Sequence, residues 1–317
     1  MPYYPPQPDR KPAEHPPQKR IILRRMILCV SLLLIVYGVV RLAGYGTDLV
    51  SSRRTTQELR EIAARSDVTK IPAFSASPET IIPMQTASAS PTPAAERTED
   101  PSALSGKLPV VEYPNGYELV YRIQKLREKS TYIIGWITMD NLDEPVAKKD
   151  NTLFLDHDAT GRRNSNGSIF MDEKTSLLTR PYTILLYGHN MKSGAMFGSL
   201  RKYEEFQYYY RHRVFQFDTL YEEGQYAIFA VETIDLIPGM SRYINMTALQ
   251  SSDREIRKEA LKELTDHSLY DTMLDVNEED QILLLVTCMG DDNERLVVAS
   301  RRLRDEETAD RLIMRRE

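Results

Sequence analysis

The chain carries two cysteines, and only Cys288 lies outside its most apolar segment. Cys288 ends the run QILLLVTC, whose leucine and β-branched content reads as a buried strand. Arg295 follows across the turn-forming stretch Gly290–Asn293, and ERLVVAS reads as the return strand of a hairpin. A thiol reacts as its thiolate, which needs a proton acceptor or a positive neighbour. Acyl transfer also needs donors aimed at the oxygen where negative charge develops. A guanidinium stays charged and offers a planar fork of N–H groups, so Arg295 suits an oxyanion or a substrate carbonyl rather than proton transfer. Taken alone, the stretch favours the plainer reading of a buried cysteine and a solvated arginine.

The proton carrier must be sought among five histidines. His15 lies in a proline-rich and charged N-terminus. His212 sits in the charged run YRHRV, His267 at the end of a predicted helix, and His157 in the polar turn LDHDATG. His189 differs, because it follows the apolar run YTILLYG directly and opens the loop NMKSGAMFGSL. Strand-to-loop exits are where functional side chains concentrate. His189 and Cys288, each at a strand end, form the best base and nucleophile pair available.

The elements that must position them are mostly strands. TYIIGWITM, GSIFMD, YTILLYG, RVFQFDTL, GQYAIFAVETIDLI, QILLLVT and ERLVVAS are short and rich in β-branched and aromatic residues. NGYELVYRIQKLREKS has Leu119, Ile123 and Leu126 at helical spacing. SSDREIRKEALKELTDH reads as a helix with Ser252 and Glu255 as a capping box and Ile256, Ala260, Leu261 and Leu264 as its apolar face. Many strands with few helices between them favour a barrel or sandwich.

Ahead of this region, Met26–Val40 is uncharged and strongly apolar. No cleavage signature precedes the charged stretch that begins at Arg53, so it reads as an uncleaved anchor, residues 26–46. Arg10, Lys11, Lys19, Arg20, Arg24 and Arg25 against Asp9 and Glu14 predict that residues 1–25 form a disordered cytoplasmic tail. The bulk of the chain then lies outside the plasma membrane. Residues 47–106 read as an extracellular stalk and a Ser, Thr, Pro and Ala-rich linker, and residues 107–317 as one globular domain. The net charge of −5 argues against nucleic-acid binding. No Cys/His cluster has metal-ligand spacing, and the acidic runs EED and DD read as solvated loops, so neither metal nor cofactor is expected.

The residues resemble those of the sortases, cysteine transpeptidases of Gram-positive surfaces, most of all class B. The resemblance rests on VTC at Val286–Cys288, Arg295 on the following strand and YGHN at Tyr187–Asn190. It rests also on GW at Gly135–Trp136, DNTLFL at Asp150–Leu155, NGSIFMD at Asn166–Asp172 and MFGSL at Met196–Leu200. It implies an eight-stranded β-barrel with N-terminal helices, a helix before the strand carrying Cys288, and a single transmembrane helix. It implies that Cys288 attacks the carbonyl after the threonine of an LPxTG- or NPxTN-like sorting signal on a secreted protein. An amine of a cell-wall peptide or its lipid-linked precursor then resolves the thioester. His189 would carry the protons and Arg295 hold the oxyanion, while Asn151, Leu155, Tyr187, Tyr243, Ile244 and Thr287 would help bind substrate. The chain departs from the family's usual pattern at Leu284, Val286 and Met289 and in the short turn after Cys288. A pilin-polymerising sortase and a non-catalytic anchored binding module are the alternatives; no lid with an acid–aromatic motif favours the first, and the second gives no reason for Cys288, His189 and Arg295 to converge. A papain-type hydrolase would place its nucleophile at a helix N-terminus rather than a strand end.

Overall fold

The computed structural model describes residues 18–68, 113, 116, 118–288 and 293–314. The tail before residue 18, the linker stretch 69–112 and the turn residues 289–292 lie outside the described residues. The chain divides into two units, Met1–Val50 and Ser51–Glu317. Helix α1, Gln18–Val68, contributes to both. In the first unit it is long and apolar enough to cross a membrane, and its large apolar side chains, such as Leu33 and Leu42, are exposed.

In the second unit eight strands close a barrel in the order β1-β2-β3-β4-β7-β8-β6-β5. They are β1 Ile133–Met139, β2 Leu142–Ala147, β3 Ile169–Met171, β4 Thr183–Gly188, β5 Val214–Thr219, β6 Gln225–Asp235, β7 Ile282–Cys288 and β8 Glu294–Arg302, with a short helix α3, Phe206–His212, leading into β5. All pairs are antiparallel except β2 with β3 and β4 with β7. Alternation along each strand sends one set of side chains inward. Ile184, Leu186, Leu283, Leu285, Leu296 and Val298 meet inside the barrel.

Two further layers cover the outside. The strand runs are apolar on both faces because both faces are buried. On one side Leu185, Leu284, Val286, Val297 and Ala299 pack beneath α4, Met246–Leu249, and α5, Arg254–Asp266. On another, Ile133, Trp136, Phe154 and Phe170 pack with Leu59 and Ala63 of α1 and with Ile123 and Leu126 of α2, Tyr121–Arg127. The stretch 51–66 therefore packs against the barrel. Leu59 is 2% exposed, Thr56 donates to the Glu144 carboxylate at 2.8 Å, and Arg60 pairs with Asp143 at 2.9 Å.

Three local expectations change. β2, LDEPVA, carries two acids and a proline and shows no strand pattern. It is a strand because the Asp140–Asn141 turn, with Asn141 at φ 60°, folds it back on β1. β3 joins only from Val146 onward, so at Pro145 one neighbour suffices and the missing N–H is tolerated. The N-cap of α5 is Asp253, not Ser252; its carboxylate accepts from the Glu255 and Ile256 amides. The buried face accordingly runs Arg257, Ala260, Leu261 and Leu264, leaving Ile256 exposed. Arg257 replaces an aliphatic there because its guanidinium lies 4.4 Å above the Tyr182 ring and donates to Glu278 O.

Beneath α5 lies Glu232 of β6, 2% exposed, with neither carboxyl oxygen hydrogen-bonded among the described residues. Burial, and then the charge of Glu263 on α5, push its pKa up to about 8 from an ordinary 4.5. The folded chain thus holds this proton more tightly than the unfolded chain, and the group costs stability as pH rises from about 4.5 to about 8. Glu232→Gln should flatten the fall of urea-unfolding stability across that range. A slope equal to wild type would assign the pH dependence to other groups.

Candidate active site

The parallel ladder between β4 and β7 runs from Thr183 opposite Ile282 to Gly188 opposite Thr287. The next residue on each strand is His189 and Cys288. The antiparallel ladder between β7 and β8 sets Arg295 opposite Cys288, and Arg295 also pairs with Ile234 of β6. The three candidates therefore meet at one end of the barrel on adjacent strands β4, β7 and β8.

His189 is fixed on both sides. Its carbonyl accepts from the Met191 and Phe197 amides at 3.1 and 3.0 Å, pinning the loop that leaves β4. Gly188 lets that loop fold over, because a Cβ there would lie 2.8 Å from the Phe197 ring. The imidazole Nε2 lies 2.7 Å from the Leu155 carbonyl oxygen. A carbonyl can only accept, so Nε2 carries the hydrogen and the neutral ring keeps its lone pair on Nδ1.

Arg295 is half-buried, and its Nη1 donates to the Glu294 carbonyl at 2.8 Å. The Glu294 carboxylate pairs with Arg242, which also reaches Asp235 at 3.3 Å. These ion pairs tie the loop after β6 to the start of β8. Tyr187 connects Arg295 to a second polar group, Asp172. Burial, then the Asp172 charge and its hydrogen bond, hold the Tyr187 hydroxyl well above the usual tyrosine range, and Arg295 opposes them.

Asp172 is the hub of this end of the site. It is 5% exposed and accepts from Asn151 Nδ2 at 3.0 Å, from the Lys174 amide at 3.0 Å and from Gln250 Nε2 at 3.4 Å. Asn151 in turn accepts from the Glu173 amide at 2.9 Å. The structure thus brings Asn151 and Tyr187 together around Asp172. Asp172 and Gln250 were not singled out by sequence, although an acid closing the apolar run IFM was a signal for the first. Leu155 exposes its side chain and lends its carbonyl to His189. Tyr243 is partly buried, its amide bonded to Met240 O at 3.2 Å. Two of the expected substrate contacts are buried. Ile244 is 1% exposed in the core beneath α5, and Thr287 is 1% exposed, its hydroxyl without a hydrogen-bond partner among the described residues. Neither side chain lines an open groove.

Asp172→Ala should lower stability by about 1–3 kcal/mol, because Asn151 and Tyr187 lose their acceptor. An unchanged urea midpoint would show that the hub carries no such load.

Residues 137–303 match the profile of the family described as Sortase domain. Sortase B of Listeria monocytogenes is 29% identical over 195 residues, 60% of this chain and 76% of that protein. Sortase B of Staphylococcus aureus is 26% identical over 57% of this chain and 74% of that protein. The crystal structure of sortase B from Bacillus anthracis in complex with AAEK1 superimposes with a TM-score of 0.59 at 26% identity, covering 81% of this chain and 99% of that one. A second B. anthracis structure, in complex with AAEK2, has a TM-score of 0.54 at 32% identity over 62% of this chain and 90% of that one.

Proposed function

This chain belongs to the sortase family of cell-wall transpeptidases, in class B, and from that premise we propose that Cys288 is its nucleophile, His189 its proton carrier and Arg295 its oxyanion donor. The observation that carries the reading is the register: Gly188 opposite Thr287 and Cys288 opposite Arg295 bring the three to one barrel end.

The chemistry follows from what each group can do. The Cys288 thiolate adds to the carbonyl carbon after the threonine of an LPxTG- or NPxTN-like sorting signal. The electron pair moves to the carbonyl oxygen, where the Arg295 guanidinium meets the negative charge. Collapse breaks the C–N bond as His189 gives a proton to the leaving amine, forming a thioester. An amine of a cell-wall peptide or its lipid-linked precursor attacks that thioester and loses a proton to His189, and the Cys288 thiolate departs. With Nε2–H held by Leu155 O, Nδ1 is the nitrogen that exchanges the proton. Asn151 and Tyr187, at the Asp172 hub, bind the signal together with Leu155 and Tyr243. The apolar half of α1 anchors the enzyme, with Arg24 and Arg25 on the cytoplasmic side and the barrel outside.

A peptide vinyl sulfone should label Cys288 selectively, and His189→Ala should slow that labelling; unselective labelling would refute the assignment. Cys288→Ala should abolish cleavage of sorting-signal peptides with little change in Tm. A large drop in Tm would instead mark a packing cysteine. Arg295→Lys should lower kcat by about 10²–10³, the cost of losing an oxyanion donor. Near-normal turnover would remove Arg295 from that role.

A further inference from the structure

His189 is half-buried, and its ring is held by a backbone carbonyl from a distant loop, residues 154–168. That loop is closed on itself. The Asn164 amide donates to Asp156 O at 2.8 Å, the Ser168 amide to Phe154 O at 2.9 Å, and Ser168 Oγ to His157 O at 3.0 Å. Asp158 braces its turn by accepting from the Thr160 and Arg162 amides at 2.9 and 3.1 Å. The outer side of the loop is fastened to α1. Phe154 is fully buried in the cluster that contains Leu59 and Ala63, and Thr55 Oγ1 donates to Asp158 Oδ2 at 3.3 Å.

Gly167 is where the loop meets the histidine. Its φ is +60°, a conformation that L side chains rarely adopt. A Cβ there would lie 2.4 Å from Phe154 O, 3.0 Å from Leu155 O and 3.0 Å from His189 Cδ2. The absent side chain therefore borders both partners of the Nε2–H···O=C bond. Any side chain would push the acceptor and the ring apart.

We propose that Gly167 is a positioning residue for His189. By leaving room for the Leu155 carbonyl and the ring to meet, it fixes the tautomer with Nδ1 free and the direction of the proton transfer. The reach of this inference to catalysis rests on His189 being the proton carrier, but the hydrogen bond itself can be read separately.

The test is long-range ¹H–¹⁵N spectroscopy of the histidine rings in the full chain in detergent, alongside turnover of quenched-fluorescent peptides carrying LPxTG and NPxTN. In wild type, the neutral form of His189 should show the Nε2–H tautomer. Gly167→Ala, and Gly167→Asn, which tolerates positive φ better, should convert it to a tautomer mixture. Both should lower kcat by about 10²-fold, the scale of an ångström misplacement, with KM within about twofold. Gly161→Ala is the control for backbone strain. It lies in the same loop at φ +82°, but its Cβ would meet the Tyr132 ring. It should leave the His189 signature unchanged even if it lowers Tm. An Nδ1–H tautomer in wild type, or a wild-type signature in a folded Gly167 variant, would overturn the proposal. A lost signature with normal turnover would support the part of Gly167 in the hydrogen bond, overturn the catalytic part and count against His189 as the proton carrier.

Discussion

Everything at the site depends on the parallel pairing of β4 with β7. A parallel pair cannot be made by a tight turn; it needs a long crossover. Here the crossover runs from residue 189 to residue 281 and includes β5, β6, α4 and α5. These strands align side by side because each is apolar on both faces, inside the barrel and under the helical layer. A slip of one residue would put Leu283 and Leu285 outside and Ile282, Leu284 and Val286 inside, changing the packing of both layers at once. The register is therefore held by burial along the whole strand. The ends of the strands, where His189 and Cys288 stand, inherit its precision.

The helical layers convert that register into a usable site. α5 buries the outer face of β7 and β8, at the cost of trapping Glu232 with no hydrogen-bond partner among the described residues. α1 and α2 bury the opposite flank and hold Phe154, whose neighbour Leu155 supplies the acceptor for His189. The Asp172 hub links Asn151 and Gln250 with Tyr187, and through Tyr187 it is electrostatically coupled to Arg295. The groups proposed to react thus stand on strands or at their ends, while the groups that contact them come from loops braced against helices.

The sequence made the strands legible where β-branched and aromatic runs were long, as in QILLLVT and YTILLYG, and it made His189 and Cys288 legible as strand-end residues. β2 was hidden because its pairing is imposed by the hairpin with β1 rather than by its own pattern, and Pro145 argued against it. The face of α5 was misjudged because a long, polar side chain can be buried when its head finds a ring and a carbonyl, as Arg257 does. The burial of Ile244 and Thr287 is not legible in the motifs beside them, because alternation and core packing rather than residue type turn both inward. The Leu155 carbonyl was beyond sequence reading altogether, since a backbone acceptor leaves no mark on residue type. Gly167 left one in the NGS turn, but a glycine in a turn has many ordinary explanations.

On the proposed mechanism Cys288 carries the acyl group between two amines. Intact-mass spectrometry of the full chain, quenched in acid during turnover of a sorting-signal peptide, tests it most directly. A thioester intermediate should appear as a hydroxylamine-cleavable adduct on Cys288 with the mass of the peptide truncated after its threonine. Steady consumption of the peptide without any such adduct, or an adduct on another residue, would contradict it.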